Sequence, residues 1–505
     1  MDTDEKTRMT SAGCDQGCLS VTKIWNIPPF VGRWLTRVLL GLVLWATVWS
    51  IVGQDALPGG NIYGLSILLA VSAFAGFLIR VIPWLKLPSL LGMLIAGFML
   101  KNVDGIDVAE HIDNDWSLTI RNVALVVILL RSGLGLDQDA LKKARWTISR
   151  LALLPCIAEA ITVAIMGYLL LDMGFLWSFQ LGFLIAAVSP AVVVPSLLEL
   201  QEKGYGVDQG IPTLGLAAAS LENVFAISLV GVFLGLAFFE GNLAYNIFKG
   251  PIEIILGITI GVLVGPLLWI LPQKYKVSFT IYHHHQYNNI KNTRTIFIVI
   301  SSQPVTITDH HHRSSQSFID SKHIPLQRSA PQKNRFVLLS SLGLLSLFGL
   351  RRANFSGAGA LGSLVLSFVA GLGWSESDKK QIGNAMSVVW DFFMPLLFAL
   401  IGAEVNVEYM ERSLIGRGIA IIIVGMIPRL LMVYLVVSRN NLERKEKIFL
   451  MLSWVPKATV QAAIGSITLD AARDKGLIGQ YQEDYGIKIL TLSVLAILIT
   501  APIGA

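Results

Sequence analysis

Four ionisable residues, Glu159, Glu222, Arg429 and Lys457, stand inside strongly apolar stretches of this chain. A charge at the centre of a lone membrane helix costs about 2.5–3.5 kcal/mol on insertion scales. Such groups therefore face a cavity or a partner, and they mark ion or proton paths. Two of the apolar stretches are interrupted by proline, at Ser189-Pro190 and at Trp454-Val455-Pro456-Lys457. Proline removes a backbone donor and unsettles the helical conformation of the residue before it. Unwound backbone at membrane depth is tolerated only where it is buried in protein or lines a wet cavity. By the span count below, the two breaks lie seven crossings apart, so the chain passes through them in opposite directions. Inverted repeats with matching broken helices are how secondary transporters hold a coupling ion near the bilayer midplane.

Glu222-Asn223 lies within the run IPTLGLAAASLENVFAISLVGVFLGLAFF. A carboxylate held there can release a proton to one side and take a cation from the other, and competition between the two yields exchange under alternating access. The alternative is a structurally paired or locally snorkelled glutamate. Ala217, Ala218, Ala219 and Ser220 beside it are small and let neighbouring helices approach closely. Serine hydroxyls and carbonyls freed at the Ser189-Pro190 break are hard-oxygen ligands suited to sodium or lithium. The candidate cation and proton site is thus Glu222, Asn223, Ser220, Ser189 and Pro190. Glu159 and Arg429 occupy spans that are also seven crossings apart, and they are expected to pair and hold the two repeats together. An arginine stays protonated and is a poor proton carrier. Lys457 could neutralise negative half-helix ends or exchange protons itself. Arg131 is expected at the inner interface and Glu404 at an outer mouth.

The elements that must position these residues are membrane helices. The chain has 505 residues, 53% hydrophobic and only 15% charged, against about 25% charged in soluble domains. At about 20 apolar residues per crossing, fourteen spans are predicted near 34–53, 62–82, 86–101, 118–136, 149–171, 174–198, 212–239, 246–271, 335–350, 357–373, 385–403, 413–436, 446–469 and 486–505. The fold class is all-α and multi-pass, with about 13–14 transmembrane helices. Residues 1–33 form a cytoplasmic tail, and the first span serves as an uncleaved anchor. Residues 34–276 and 333–505 form the two parts of the membrane region. Lysine and arginine crowd the loops at 137–150 and 437–447, while the loop at 102–117 is acidic apart from its flanking Lys101. By the positive-inside rule both termini lie inside, with Arg351 and Arg352 as an exception. The polar segment 277–332 holds seven of the eight histidines and is expected to lack fixed structure, with a metal-binding loop as the alternative.

Composition also excludes several classes. The net charge of +6 is small for this length and suggests no nucleic-acid partner. Three cysteines form no disulfide framework, and Cys14 and Cys18 have no matching second pair for zinc. Nothing reads as a nucleotide-binding loop, a cofactor site or an enzyme active site. The partners expected are Na+ or Li+, protons and the lipid bilayer.

Segments 118–275 and 333–505 resemble the NHA-type sodium/hydrogen exchanger-like family of the cation–proton antiporter superfamily. The resemblance rests on RSGLGLD with LKK (131–143), AAVSPAVVVPSLL (186–198), KGYGV (203–207), GIPTL (210–214), LIGAEV (400–405), KEKIF (445–449), WVPKATVQAAIGS (454–466) and ILITAPIG (497–504). It implies an inverted-repeat antiporter fold with two crossed discontinuous helices, unwound at Ser189–Pro195 and Val455–Ala458. It further implies a homodimer, a mobile six-helix core in each protomer, and exchange of sodium or lithium for protons. Glu159, Arg429 and Lys457 match charged core positions of that family. One departure falls at the ion site, where the family pattern is Ser-aromatic-Asp-Asp and this chain reads Ser220-Leu221-Glu222-Asn223. An amide can ligate a cation but carries no proton at neutral pH. Either Glu222 serves alone as an antiporter carboxylate, or the chain is a transport-inactive relative that acts as a dimer partner or regulator.

Overall fold

The computed structural model describes residues 29–82, 87–103, 105, 108–136, 142, 145–189, 192–193, 197, 211–238, 243–271, 278–286, 293–301, 317–325, 330–353, 355–407, 412–439 and 443–503. Two compact units divide the chain after Gly64. The first contains helix α1 (Pro29–Val52), whose apolar side chains are largely exposed, and a short 3-10 turn at Gly53–Ala56. Helix α2 (Asn61–Val81) begins at its end.

The second unit is helical apart from one small sheet. Its first helices are α3 (Ser89–Asn102), α4 (Asn114–Leu134), α5 (Arg145–Leu171), α6 (Phe175–Ala186), α7 (Ile211–Ala237) and α8 (Leu243–Val264). After the sheet come α9 (Ala330–Arg352), α10 (Ser356–Leu372), α11 (Glu376–Ala403), α12 (Arg412–Ser438), α13 (Arg444–Ser453), α14 (Thr459–Ile464), α15 (Ile467–Asp474) and α16 (Tyr481–Ile503). Every expected span has a helix in its place. Among the described residues, nine helices are long and apolar enough to cross a membrane, and α3, α6 and α10 are shorter apolar helices. The chain is thus an integral, multi-pass membrane protein. Ile255 and Leu263 on α8 and Tyr168 and Leu169 on α5 point their apolar side chains outward, as lipid-facing surface requires.

The polar segment 277–332 departs from expectation. Three strands, β1 (Ser278–Gln286), β2 (Thr293–Ser301) and β3 (Ser317–Pro325), form an antiparallel sheet in the order β2-β1-β3. The pairing sets Ser278 opposite Ser301 on one side and Pro325 on the other. Runs such as Thr295-Ile-Phe-Ile-Val-Ile300 are β-branched or aromatic throughout and favour strands over an unstructured loop. His283–His285 lie on β1, and His310–His312 fall outside the described residues. Among the described residues, no group of three or more metal-ligating side chains could hold an ion.

Helix packing brings the two halves of the second unit together. α5 packs along α12, α6 against α5 and α7, and α3 along α11. The α3–α11 approach is close because both sides carry glycine there. A methyl on Gly97 would collide with the Ala399 backbone, and one on Gly402 with the Leu94 carbonyl.

Candidate functional site

The two proline-interrupted stretches are unwound in the structure, and they touch. α6 ends at Ala186, and Ala187–Ser189 are extended or irregular before Pro190. On the other side α13 ends at Ser453, and helix resumes only at Thr459. Between them Ala458 takes φ −160° and ψ −71°. A residue preceding proline is pushed out of the helical region, and both Ser189 and Val455 stand in that position. The Ser189 backbone N–H donates to the Pro456 carbonyl at 2.9 Å. The hydroxyls of Ser189 and Thr459 lie 3.4 Å apart.

Helix interruptions in a dry interior leave carbonyls that must be satisfied. Here side chains reach them from elsewhere. Gln461 Nε2 donates to the carbonyls of Leu184 and Ala187, each at 2.8 Å. The Ala186 carbonyl accepts from Arg429 Nη1 at 2.7 Å and from Lys457 Nζ at 3.0 Å. Cations thus sit at the C-terminal end of α6, where the partial charge of a helix is negative. The Trp454 carbonyl accepts from Arg429 Nε at 2.6 Å. The Lys457 backbone N–H donates to Thr500 Oγ1 on α16 at 2.8 Å.

Glu159, Glu222, Arg429 and Lys457 all meet at this junction. Arg429 Nη1 binds Glu159 Oε2 at 2.6 Å, and Arg429 Nη2 binds Glu222 Oε1 at 2.6 Å. Lys457 Nζ lies 2.8 Å from Glu159 Oε2. The four side chains are fully buried. Two carboxylates and two cations leave the cluster formally neutral, which is how buried charge is sustained in a low-dielectric interior. The second oxygen of Glu222 accepts from the Trp454 indole Nε1 at 2.6 Å. Glu222 is therefore held at both oxygens.

The expected Glu159–Arg429 pair is present, and it extends to Glu222 and Lys457. The other residues expected to ligate a cation with Glu222 are placed as follows. Ser220 is buried on α7 but is not among the hydrogen-bond partners of Glu222. Ser189 turns toward the other break, and Pro190 lies outside the described residues. Asn223 is buried, and its Oδ1 has no donor among the described residues. The same is true of Glu159 Oε1. Arg429 holds Glu222 because a guanidinium is a far stronger partner for a buried carboxylate than a neutral hydroxyl.

Trp454 and Gln461 were passed over as site residues by sequence reasoning. The available signal was their polar atoms inside the apolar run 446–469. Arg121 was also missed. It is fully buried on α4, with Nη2 3.4 Å from Glu404 Oε1 and 3.3 Å from Asp470 Oδ2. Glu404 ends α11 and borders an open cavity of about 560 Å³ lined also by Lys101, Ser117, Arg473 and Glu483, in keeping with a mouth charge.

Known proteins share this arrangement of sequence and fold. The profile described as "Sodium/hydrogen exchanger, transmembrane" matches residues 65–303 and 321–505. Sodium/hydrogen exchanger 9B2 of Xenopus tropicalis is 39% identical over 496 residues, covering 97% of this chain and 79% of the relative. The Homo sapiens protein of that name is 39% identical over 483 residues, covering 95% and 80%. Sodium/hydrogen exchanger 9B1 of Homo sapiens is 35% identical over 474 residues, covering 93% and 81%. In fold, the chain is similar to the sodium proton antiporter MjNhaP1 from Methanocaldococcus jannaschii at pH 8, with a TM-score of 0.55 and 15% identity, over 87% of this chain and 96% of that one. With a profile match across most of its length, and with buried charges gathered at two helix breaks, this chain belongs to the sodium/hydrogen exchanger family.

Proposed function

We propose that this protein exchanges a monovalent cation, Na+ or Li+, for protons across a membrane by alternating access, as a homodimer. The observation that carries the reading is the neutral, fully buried cluster of Glu159, Glu222, Arg429 and Lys457 on two touching helix interruptions. With both carboxylates ionised the cluster is neutral and can take one further positive charge at Glu222, either a proton or a metal cation, so each enters as the other leaves. Glu222 is the principal carrier and Asn223 an auxiliary oxygen ligand. Glu159 and Arg429 hold the two repeats together, and Lys457 neutralises the end of α6. In the arrangement described, each Glu222 oxygen accepts one hydrogen bond, so a cation loads in competition with those donors, the neutral Trp454 indole being the more readily displaced.

The test is cation-driven proton movement in proteoliposomes containing a pH dye, pulsed with sodium, lithium or potassium. Wild-type protein is expected to respond, and Glu222→Gln to be silent. An equal response from the folded Glu222→Gln protein would refute the assignment. A second reading, a transport-inactive relative that partners or regulates another exchanger, is favoured by Asn223 standing where a second carboxylate is expected and by the full engagement of Glu222. Wild-type silence with gain of transport in Asn223→Asp would establish it.

A further inference from the structure

Trp454 closes a ring at the centre of the site. Its carbonyl accepts from Arg429 Nε at 2.6 Å, Arg429 Nη2 binds Glu222 Oε1 at 2.6 Å, and Glu222 Oε2 accepts from the Trp454 indole Nε1 at 2.6 Å. Trp454, Arg429 and Glu222 are each fully buried. The indole of Trp454 sits at the C-terminal end of α13, on the last residue before the unwound stretch, so its position is tied to the break itself. We propose that Trp454 is a positioning residue that sets cation affinity, its indole N–H competing with the transported cation for Oε2 of Glu222. This rests on the reading of Glu222 as the exchanging carboxylate.

The chemistry follows from the donor type. Na+ is held by the lone pairs and negative charge of a carboxylate oxygen, and each Glu222 oxygen already shares these with one donor, Arg429 Nη2 on Oε1 and the Trp454 indole on Oε2. An indole N–H only donates and does not titrate in the accessible range. It is therefore a fixed competitor, displaced by the cation rather than switched off by pH. Exchange demands that the cation also leave, and a competitor of fixed strength speeds that release by offering the carboxylate an immediate alternative partner. A site without it would bind more tightly and turn over more slowly. Glu222 reaches both donors at once.

Trp454→Phe removes the N–H and keeps an aromatic ring. Trp454→Met, whose flexible apolar chain adapts to irregular space, serves as the second variant. The experiment compares Na+ and Li+ concentration dependence of proton movement in proteoliposomes, together with thermal stabilisation of the purified proteins by Na+ or Li+ against choline. A hydrogen bond to a charged group corresponds to roughly a ten-fold or greater change in a binding constant. The apparent KM is expected to fall by about that factor in either variant, with a lower maximal rate, and the stabilisation midpoint to fall in parallel. A merely structural role would lower the maximal rate with KM unchanged or raised. An unchanged or raised KM in a folded variant beside an active wild type overturns the role of Trp454 and leaves the exchange reading intact. A wild type that moves no protons overturns the exchange reading, and in that case equal stabilisation midpoints, or no cation effect in any protein, overturn the role of Trp454 as well.

Discussion

The buried four-charge cluster makes a quantitative prediction about coupling. With Glu159 and Glu222 ionised and Arg429 and Lys457 protonated, the cluster sums to zero. Lys457→Met takes it to −1 and Glu159→Gln to +1, each in a site with no exposed surface on these side chains. The contact between Lys457 Nζ and Glu159 Oε2 is 2.8 Å. Two unit charges at that distance attract by about 6 kcal/mol at an effective dielectric of about 20. Most of this is offset by the desolvation of both groups, so the intact pair contributes little net stability. Removing one member is different, because the other is left buried and unbalanced. Each single substitution is therefore expected to cost about 3–5 kcal/mol. The double variant Glu159→Gln with Lys457→Met restores neutrality and retains the contact of Arg429 with Glu222. It is expected to cost at least ~2 kcal/mol less than the sum of the singles, within the range measured for directly contacting residues. The assay is reversible unfolding in mixed detergent micelles, titrated with a denaturing detergent, for wild type, both singles and the double. Additivity within ~0.5 kcal/mol would refute the reasoning, since it would mean that the two charges do not sense each other.

Three further outcomes follow from other parts of the structure. Gln461→Leu leaves the Leu184 and Ala187 carbonyls without their side-chain donor; the same unfolding assay is expected to show a loss of about 1–3 kcal/mol per orphaned carbonyl, and wild-type stability would remove Gln461 from its bridging role. Arg121→Met leaves Glu404 and Asp470 without their shared guanidinium, with an expected loss of about 3–5 kcal/mol that Asp470→Asn in the same chain should partly restore. Gly97→Ala drives a methyl into the Ala399 backbone where α3 meets α11, and overpacking of this kind costs typically about 1–3 kcal/mol; an unchanged melting temperature would show that the helices can part there without cost.

Much of the site was legible in the sequence because membrane burial makes charge conspicuous. Glu159, Glu222, Arg429 and Lys457 stand out against apolar runs, and a charge in lipid needs a partner. Their opposite signs made a pairing of Glu159 with Arg429 foreseeable. The convergence of all four on one junction was not, because it depends on α5, α7, α12 and the α13–α14 break meeting at a point. Neither hydropathy nor spacing encodes that meeting. The strands within 277–332 were hidden for a different reason: the overall composition of the segment is polar, and the β-branched runs inside it were averaged away.

Proline shows most clearly where sequence stops and tertiary structure begins. By themselves, the residues determined that this is a multi-pass helical membrane protein with intramembrane charges, since length and apolarity alone dictate crossing helices. They also carry several prolines within the apolar stretches. Pro155, Pro251, Pro395, Pro428 and Pro502 remain inside continuous helices α5, α8, α11, α12 and α16, while helix stops before Pro190 and is interrupted around Pro456. The missing donor is the same in each case. Tertiary structure decided the outcome by supplying partners for freed backbone groups: Gln461, Arg429 and Lys457 at the end of α6, and Arg429, Ser189 and Thr500 around the second break. A helix can afford to unwind in a dry interior only where distant side chains arrive to take up its hydrogen bonds, and that arrival is a property of the packed molecule.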